Sequence, residues 1–227
     1  MKERASIVVE EYLLVIYSLI SSGKRAKAVN LVKRLKFSPS TVHATLARLQ
    51  RDELITICDK KEIELTPEGL TRAEQLTRRH RLVEDFLCNT LGISWHEVHE
   101  HAHVMEHGLT PLVEEKLAEF LDFPKSCPHG TPIPGEDSQL PQDMQYLDDM
   151  VIGDLVEIVI IDEQLEDSVD LMKFLQDKKI TPGQQHKVVE KTDVTKTVVL
   201  ALEDSQATLP FDIADKIGVI KLNPAKS

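Results

Sequence analysis

The stretch Phe37-Ser38-Pro39-Ser40-Thr41-Val42-His43-Ala44-Thr45-Leu46-Ala47-Arg48-Leu49-Gln50-Arg51 decides how this chain is read. Ser38 can cap free backbone N–H groups, and Pro39 suits the first helical position, where the donor it lacks had no partner anyway. Val42, Leu46 and Leu49 then recur at helical spacing, so a one-sided helix is expected to end near Arg51-Asp52. Upstream, Val29, Leu31, Val32 and Leu35 predict a short helix over Ala28 to Leu35, and Leu13, Ile16, Tyr17 and Ile20 predict another over Val9 to Ile20. Downstream, Leu54-Ile55-Thr56-Ile57, the charged turn Asp59-Lys60-Lys61 and the alternating Ile63-Glu64-Leu65 read as a hairpin.

Two short helices joined by a tight turn and followed by a hairpin have the order of a winged helix-turn-helix, whose second helix enters the major groove of double-stranded DNA. The positions expected to face bases are Ser38, Pro39, Ser40, Thr41, His43 and Ala44. Their small side chains allow close approach but offer no Arg or Asn for a bidentate base contact, which shifts specificity toward DNA shape and methyl contacts. Lys27, Lys36, Arg48, Arg51 and Lys60 are the expected phosphate anchors. The competing reading is a plain helical core with an ordinary hairpin.

Charge supports the first reading once it is resolved along the chain. The 227 residues carry 27 Lys+Arg and 38 Asp+Glu, a net −11 that taken as an average argues against DNA. Residues 1–70 hold 12 basic and 9 acidic side chains, whereas the remainder holds 15 and 29. The window Lys24 to Lys36 has six cations and no acid. Aromatic residues make up only 4%, which argues against a stacking platform for single-stranded nucleic acid. No apolar run reaches transmembrane length, the N-terminus lacks a signal-peptide pattern, and Cys58, Cys88 and Cys127 make no disulfide framework. A cytoplasmic protein without membrane contact is expected.

Beyond the hairpin, Thr66-Pro67 opens a long helix expected to reach Leu91; others are expected over Trp95 to His107 and Pro111 to Leu121. The last of these is apolar enough, through Leu112, Val113, Leu117, Phe120 and Leu121, to suit a subunit interface, and a two-fold dimer would match a palindromic operator. Five prolines and two glycines between Pro124 and Pro141 exclude a helix there. Strand-like pieces at Leu155 to Ile161, His186 to Glu190, Val198 to Leu202 and Ile217 to Lys221, with a helix over Asp170 to Asp177, predict a small five-stranded SH3-like β-barrel. The expected fold is therefore mainly α over the N-terminal two-thirds. Its domains are a winged helix-turn-helix (1–70), a helical metal-binding and dimerisation domain with the Pro-rich loop (71–145) and the barrel (146–227).

Five of the nine histidines fall between His96 and His107. On a helix His103, Glu106 and His107 converge at i, i+3 and i+4, and His80 with Glu84 forms a second i, i+4 pair. Imidazole and carboxylate in such sets are ligands for divalent transition metals. His99 and His107 lie roughly 12 Å apart along the axis and about 80° apart around it, so two ions are expected rather than one. His99-Glu100-His101-Ala102-His103 also spells H-E-x-x-H, the zinc-peptidase pattern, but in a run so rich in His and Glu the letters arise easily, and a peptidase leaves the DNA-binding pattern unexplained.

Winged helix, His/Glu-rich helices and small β domain together resemble the diphtheria toxin repressor family of metal-dependent transcriptional repressors, including its manganese-sensing branch. The resemblance spans essentially the whole chain and rests on Glu10-Glu11-Tyr12-Leu13, Arg79-His80-Arg81-Leu82-Val83-Glu84, Glu106-His107 and Cys127-Pro128-His129-Gly130. It implies a non-enzymatic homodimeric repressor of metal homeostasis that binds an operator when loaded with Mn(II) or Fe(II), two ions per subunit; Zn, Co or Ni would substitute in vitro. It also implies an SH3-like domain of the FeoA type. The primary site implied is Glu11, His103, Glu106 and His107. Position 103 usually carries Cys or Glu in the family, and position 11 Asp or Met. A second site is implied at Glu84, Cys127, His129 and an acid, Asp167 first and Asp170 next. Members without the Cys-Pro-His-Gly segment use the equivalents of His80, Glu84 and His99, and both sets are present here. A winged-helix regulator answering a small organic ligand is the alternative from another class.

Overall fold

The computed structural model describes residues 2–135, 139–203 and 205–222, and these form two compact units. Residues Glu136, Asp137 and Ser138 of the Pro-rich loop lie outside the described residues.

The first unit runs to His80 and includes Glu106–Leu109. Helix α1 (Lys2–Ser21) packs Tyr12, Leu13, Ile16 and Leu19 into a core shared with α2 (Ala28–Leu35) and α3 (Pro39–Arg51). Leu31, Val42, Leu46 and Leu49 complete that core, and each such side chain contributes about 1.5–3 kcal/mol by leaving water. The turn between α2 and α3 forms as expected. Lys36 takes a left-handed conformation (φ 56°), and the Ser38 hydroxyl accepts from the Thr41 N–H at 3.2 Å with Pro39 beginning the helix. Strands β1 (Ile55–Ile57) and β2 (Ile63–Leu65) pair antiparallel, Ile55 opposite Leu65, and make the wing. Helix α4 (Pro67–Asp85) starts under a Thr66 cap at a glycine that admits no side chain: a Cβ on Gly69 would stand 1.9 Å from the Leu54 carbonyl oxygen.

The second unit comprises Arg81–Met105 and the chain from Thr110 on. The end of α4 continues as a π-helical turn, Phe86–Thr90, so the long helix nearly reaches its expected end. Helix α5 (Val98–Met105) begins three residues later than expected. Trp95 and His96 are instead held in a turn by the indole N–H on the Pro128 carbonyl and the His96 N–H on Gln176 Oε1. After α6 (Pro111–Phe120), the Pro-rich segment folds into a tight turn, with the Gly130 N–H on the Cys127 carbonyl. Gly130 (φ +88°) lies against the strand Leu155–Ile161, where a Cβ would meet the Val159 carbonyl oxygen at 2.0 Å, and the Ile161 N–H donates to the His129 carbonyl.

The β domain is one antiparallel sheet in the order β3-β8-β4-β5-β6-β7: β3 Gln145–Tyr146, β4 Leu155–Ile161, β5 Gln185–Thr192, β6 Thr197–Leu202, β7 Ser205–Pro210 and β8 Ile217–Leu222. Six strands replace the expected five, and no backbone pairing closes β3 onto β7 among the described residues. Ile158, Ile161, Leu165, Met172, Leu175, Val188, Leu200 and Val219 fill its core. After β4 the chain makes two capped helices, α7 (Glu163–Glu166) under Asp162 and α8 (Val169–Asp177) under Ser168. The capped turn of α7 turns Leu165 and Glu166 inward.

Candidate metal centres and nucleic-acid interface

In the second unit four side chains from four segments meet at one point: Glu84 of α4, His99 of α5, His129 of the Pro-rich turn and Glu166 of α7. His99 Nδ1 lies 3.2 Å from Glu84 Oε1 and 2.9 Å from Glu166 Oε2. His129 Nδ1 lies 3.5 and 3.4 Å from the same two oxygens. Two imidazole nitrogens thus face two carboxylate oxygens around a ring. Four tetrahedral ligands held about 2.0–2.2 Å from one ion stand about 3.3–3.6 Å from each other, so the ring, with separations of 2.9–3.5 Å, is close to the dimensions of a coordination shell. Cys127, buried beside Thr131, also offers a ligand atom within 4.8 Å of those of Glu84 and His129.

The donors fit a divalent cation on chemical grounds too. Glu84, Glu166 and His129 are almost wholly buried, and His129 Nδ1 and Glu166 Oε1 make no hydrogen bond among the described residues. Two buried carboxylates need a compensating charge. In the protein alone protons supply it. Burial, which by itself would lower the His99 pKa, is outweighed by hydrogen bonding to Asp167, Glu166 and Glu84, and its pKa stands well above the ordinary value. His129 is raised in the same way by the charges of Glu166 and Glu84. Burial, then the Glu84 carboxylate, pushes the Cys127 thiol up.

Sequence reasoning missed Glu166. It sits next to the expected Asp167, whose Oδ1 is 3.7 Å from His99 Nε2 and whose side chain is 44% exposed; Asp170 is exposed on α8. The acidic run Asp162 to Asp170 hides which acid turns inward, although the Asp162 cap that phases α7 could have been noticed.

The first unit holds another acid–histidine set. His107 Nδ1 lies 2.7 Å from Glu10 Oε2, and its Nε2 lies 3.5 Å from Glu106 Oε1. A Glu11 carboxylate oxygen is within 4.8 Å of a His107 ring nitrogen. His80 Nδ1 stands 2.5 Å from Glu106 Oε2, both residues buried. The hydrogen bond to Glu10 raises the His107 pKa against partial burial. Glu10 thus joins Glu11, Glu106 and His107, and His80 lies beside Glu106 while keeping its expected i, i+4 place with Glu84 on α4. His103 is half-buried on α5 and belongs to the second unit. Glu100 and His101 are exposed while His99 faces Glu84 and Glu166, so the H-E-x-x-H letters do not form a peptidase centre.

The expected DNA-reading positions Ser38, Pro39, Ser40, Thr41, His43 and Ala44 are all exposed, as are Lys36, Arg51 and Lys60. The Ser38 hydroxyl is 2.8 Å from those of Ser40 and Thr41, a short hydroxyl network at the start of α3. Lys27 and Arg48 are half-buried, and acids accompany three of the anchors: Lys27 lies 3.8 Å from Glu62, Arg48 3.6 Å and Arg51 3.0 Å from Asp52. Ala47, exposed on the side of α3 opposite Val42, Leu46 and Leu49, shares the face of Ser40, Ala44 and Arg51 and was missed, although the helical period contained it.

Three family models cover nearly the whole chain: the iron dependent repressor N-terminal DNA binding domain over residues 6–63, its metal binding and dimerisation domain over 66–135, and the FeoA domain over 146–221. The iron-dependent repressor IdeR of Mycobacterium leprae is 30% identical over 223 residues, 94% of this chain and 96% of that protein. The diphtheria toxin repressor of Corynebacterium efficiens is 32% identical over 222 residues, 94% and 95% of the two chains. A manganese-dependent transcriptional repressor solved with manganese superposes with a TM-score of 0.82 at 27% identity, covering 94% of this chain and 100% of that one. ScaR with bound Zn2+ superposes with a TM-score of 0.80 at 28% identity, covering 94% and 99%. On the winged helix, the acid–histidine sets and these likenesses over 94% of its length, the chain belongs to the diphtheria toxin repressor family of metal-dependent DNA-binding transcriptional repressors, which are not enzymes.

Proposed function

We propose that the protein is a homodimeric repressor of metal-homeostasis genes that binds a palindromic operator when loaded with Mn(II) or Fe(II), two ions per subunit. The observation that carries this reading is the first-unit set, because it ties α1 to the segment Glu106-His107. Tyr12, Leu13 and Ile16 on that helix share a core with Val42, Leu46 and Leu49 of α3, so whatever fixes α1 fixes the support of the reading helix. Glu11, Glu106 and His107 are the assigned ligands, with His103 as a fourth on the strength of its i, i+4 spacing to His107. A cation bound there supplies positive charge that holds the carboxylates and imidazoles in one arrangement. Coupling of this kind is typically ~1–3 kcal/mol and reciprocal, so operator should tighten metal binding by the factor that metal tightens operator binding.

The second ion belongs to the quartet Glu84, His99, His129 and Glu166 with Cys127 beside it, and joins the helical segments to the β domain. One site drawing on both of the family's ligand sets replaces a choice between them. Zn, Co and Ni would bind both sets in vitro, since intrinsic affinity favours them over Mn and Fe. Val104, Leu112 and Phe120, exposed by 76%, 65% and 65%, supply an apolar surface for the dimer. The functional division follows residues 1–70, 71–145 and 146–227, and the protein works in the cytoplasm. Operator binding measured with and without Mn(II) tests the reading; equal affinity in both conditions would overturn it.

A further inference from the structure

We propose that Trp95 is the positioning residue of the quartet, holding His129 so that its Nδ1 faces Glu84 and Glu166; this rests on reading the quartet as a cation site. Trp95 and the turn Pro128-His129 are bound reciprocally. The indole N–H donates to the Pro128 carbonyl at 2.9 Å, and His129 Nε2 donates to the Trp95 carbonyl at 3.1 Å. The two rings also meet edge to face, centroids 4.8 Å apart at 63°. The indole packs against the β-domain core, and the next residue is fixed to α8 through His96 Nδ1 and Gln176 Oε1 at 2.8 Å.

Each contact constrains one freedom of the imidazole. The bond to the Trp95 carbonyl keeps a proton on Nε2, which leaves the Nδ1 lone pair as the metal donor once the second proton is displaced. The edge-to-face contact limits rotation of the ring about its Cβ–Cγ bond. The indole N–H sets the position of the carbonyl, because Trp95 lies in a turn whose backbone no helix or strand holds. Metal-bound histidines commonly depend on such outer partners, whose loss weakens metal binding by about 10- to 100-fold.

The test uses Co(II), whose visible absorption reports its ligands, on the full-length protein and three variants. Glu84→Gln is the control for the quartet itself: if wild type and Glu84→Gln bind the same number of Co(II) ions with the same spectra, the quartet is not a metal site and that underlying reading fails. If the quartet ion is confirmed, Trp95→Phe decides the present proposal, because it keeps a ring and removes only the indole donor. We expect Trp95→Phe to bind the quartet ion about 10-fold or more weakly, with a ligand-field spectrum moved toward that of His129→Ala and an unchanged first ion. Wild-type affinity and spectrum in Trp95→Phe would overturn the proposal, as would weaker binding with a wild-type spectrum, which marks a purely structural role. Trp95 is the only tryptophan, so its emission gives a second readout. Emission should follow Zn(II) filling of the quartet in wild type and lose that response in His129→Ala, and emission that ignores the quartet ion in wild type would also contradict it.

Discussion

The two acid–histidine sets use the same side-chain chemistry in opposite surroundings. In the first unit His107 shares one hydrogen bond with Glu10 on a half-buried helix face, and Glu106 is paired with buried His80. In the second unit the four donors come from four separate segments, α4, α5, a proline-rich turn and α7, with Glu84, His129 and Glu166 almost wholly buried. A set that ties one helix, α1, to one short segment can bias that helix and so suits a switch. A set drawn from four segments suits a staple. On the reading proposed above, sensing falls to the first set and reinforcement to the second.

That contrast can be broken in several ways. The largest effect is expected from Glu106→Ala, which breaks the buried pair with His80; a loss of about 3–5 kcal/mol in metal-free stability, read by denaturant titration, is the expected outcome. Little change would mean that the pair contributes nothing to folding. Next comes the staple. Chelation should lower the stability of the wild type by about 2.7 kcal/mol for each site filled at a hundredfold excess of cation over its Kd, and His99→Ala and His129→Ala should each abolish the same single increment. If each removed a separate ion, the quartet would be two sites.

A smaller effect is expected from pH. The folded pKa values of His99 and His129 lie above that of an unfolded histidine, so the metal-free folded state binds more protons than the unfolded one. Their stabilising contribution is full below about pH 6.5 and is lost as pH rises through the raised values. Metal-free protein should therefore lose stability on the alkaline side, while metal affinity rises there because binding displaces protons. A stability that climbs with pH in EDTA would contradict this. Smallest of all is Glu100→Gln, an exposed site expected to shift stability and operator affinity by no more than about 0.5 kcal/mol, whereas a hydrolytic centre would fail entirely.

The two regions also differ in how far they could be read in the sequence. Ser38-Pro39 and the period of Val42, Leu46 and Leu49 are local features, and α3, the turn and the hairpin follow from them. The first-unit ligands were partly legible because Glu106 and His107 adjoin and Glu11 lies in a family motif. Strands β3 and β7 were not: β3 is two residues long, and β7 carries only Ala207 and Leu209 inward between small polar residues, too little contrast for a period of two. The quartet was legible as letters but not as a place. Glu84, His99, His129 and Glu166 converge only because Gly130 lets the turn lie against β4 and Asp162 phases α7, and both are tertiary facts.

The measurement that tests the central claim most directly is operator binding across a Mn(II) titration by the wild type, by Glu11→Ala with His107→Ala, and by Glu84→Gln. Mn(II) should tighten operator binding of the wild type by about 5- to 150-fold, leave the double variant at its metal-free affinity, and still activate Glu84→Gln. A double variant as metal-responsive as the wild type, or a Glu84→Gln protein that alone loses the response, would contradict the assignment of switch and staple.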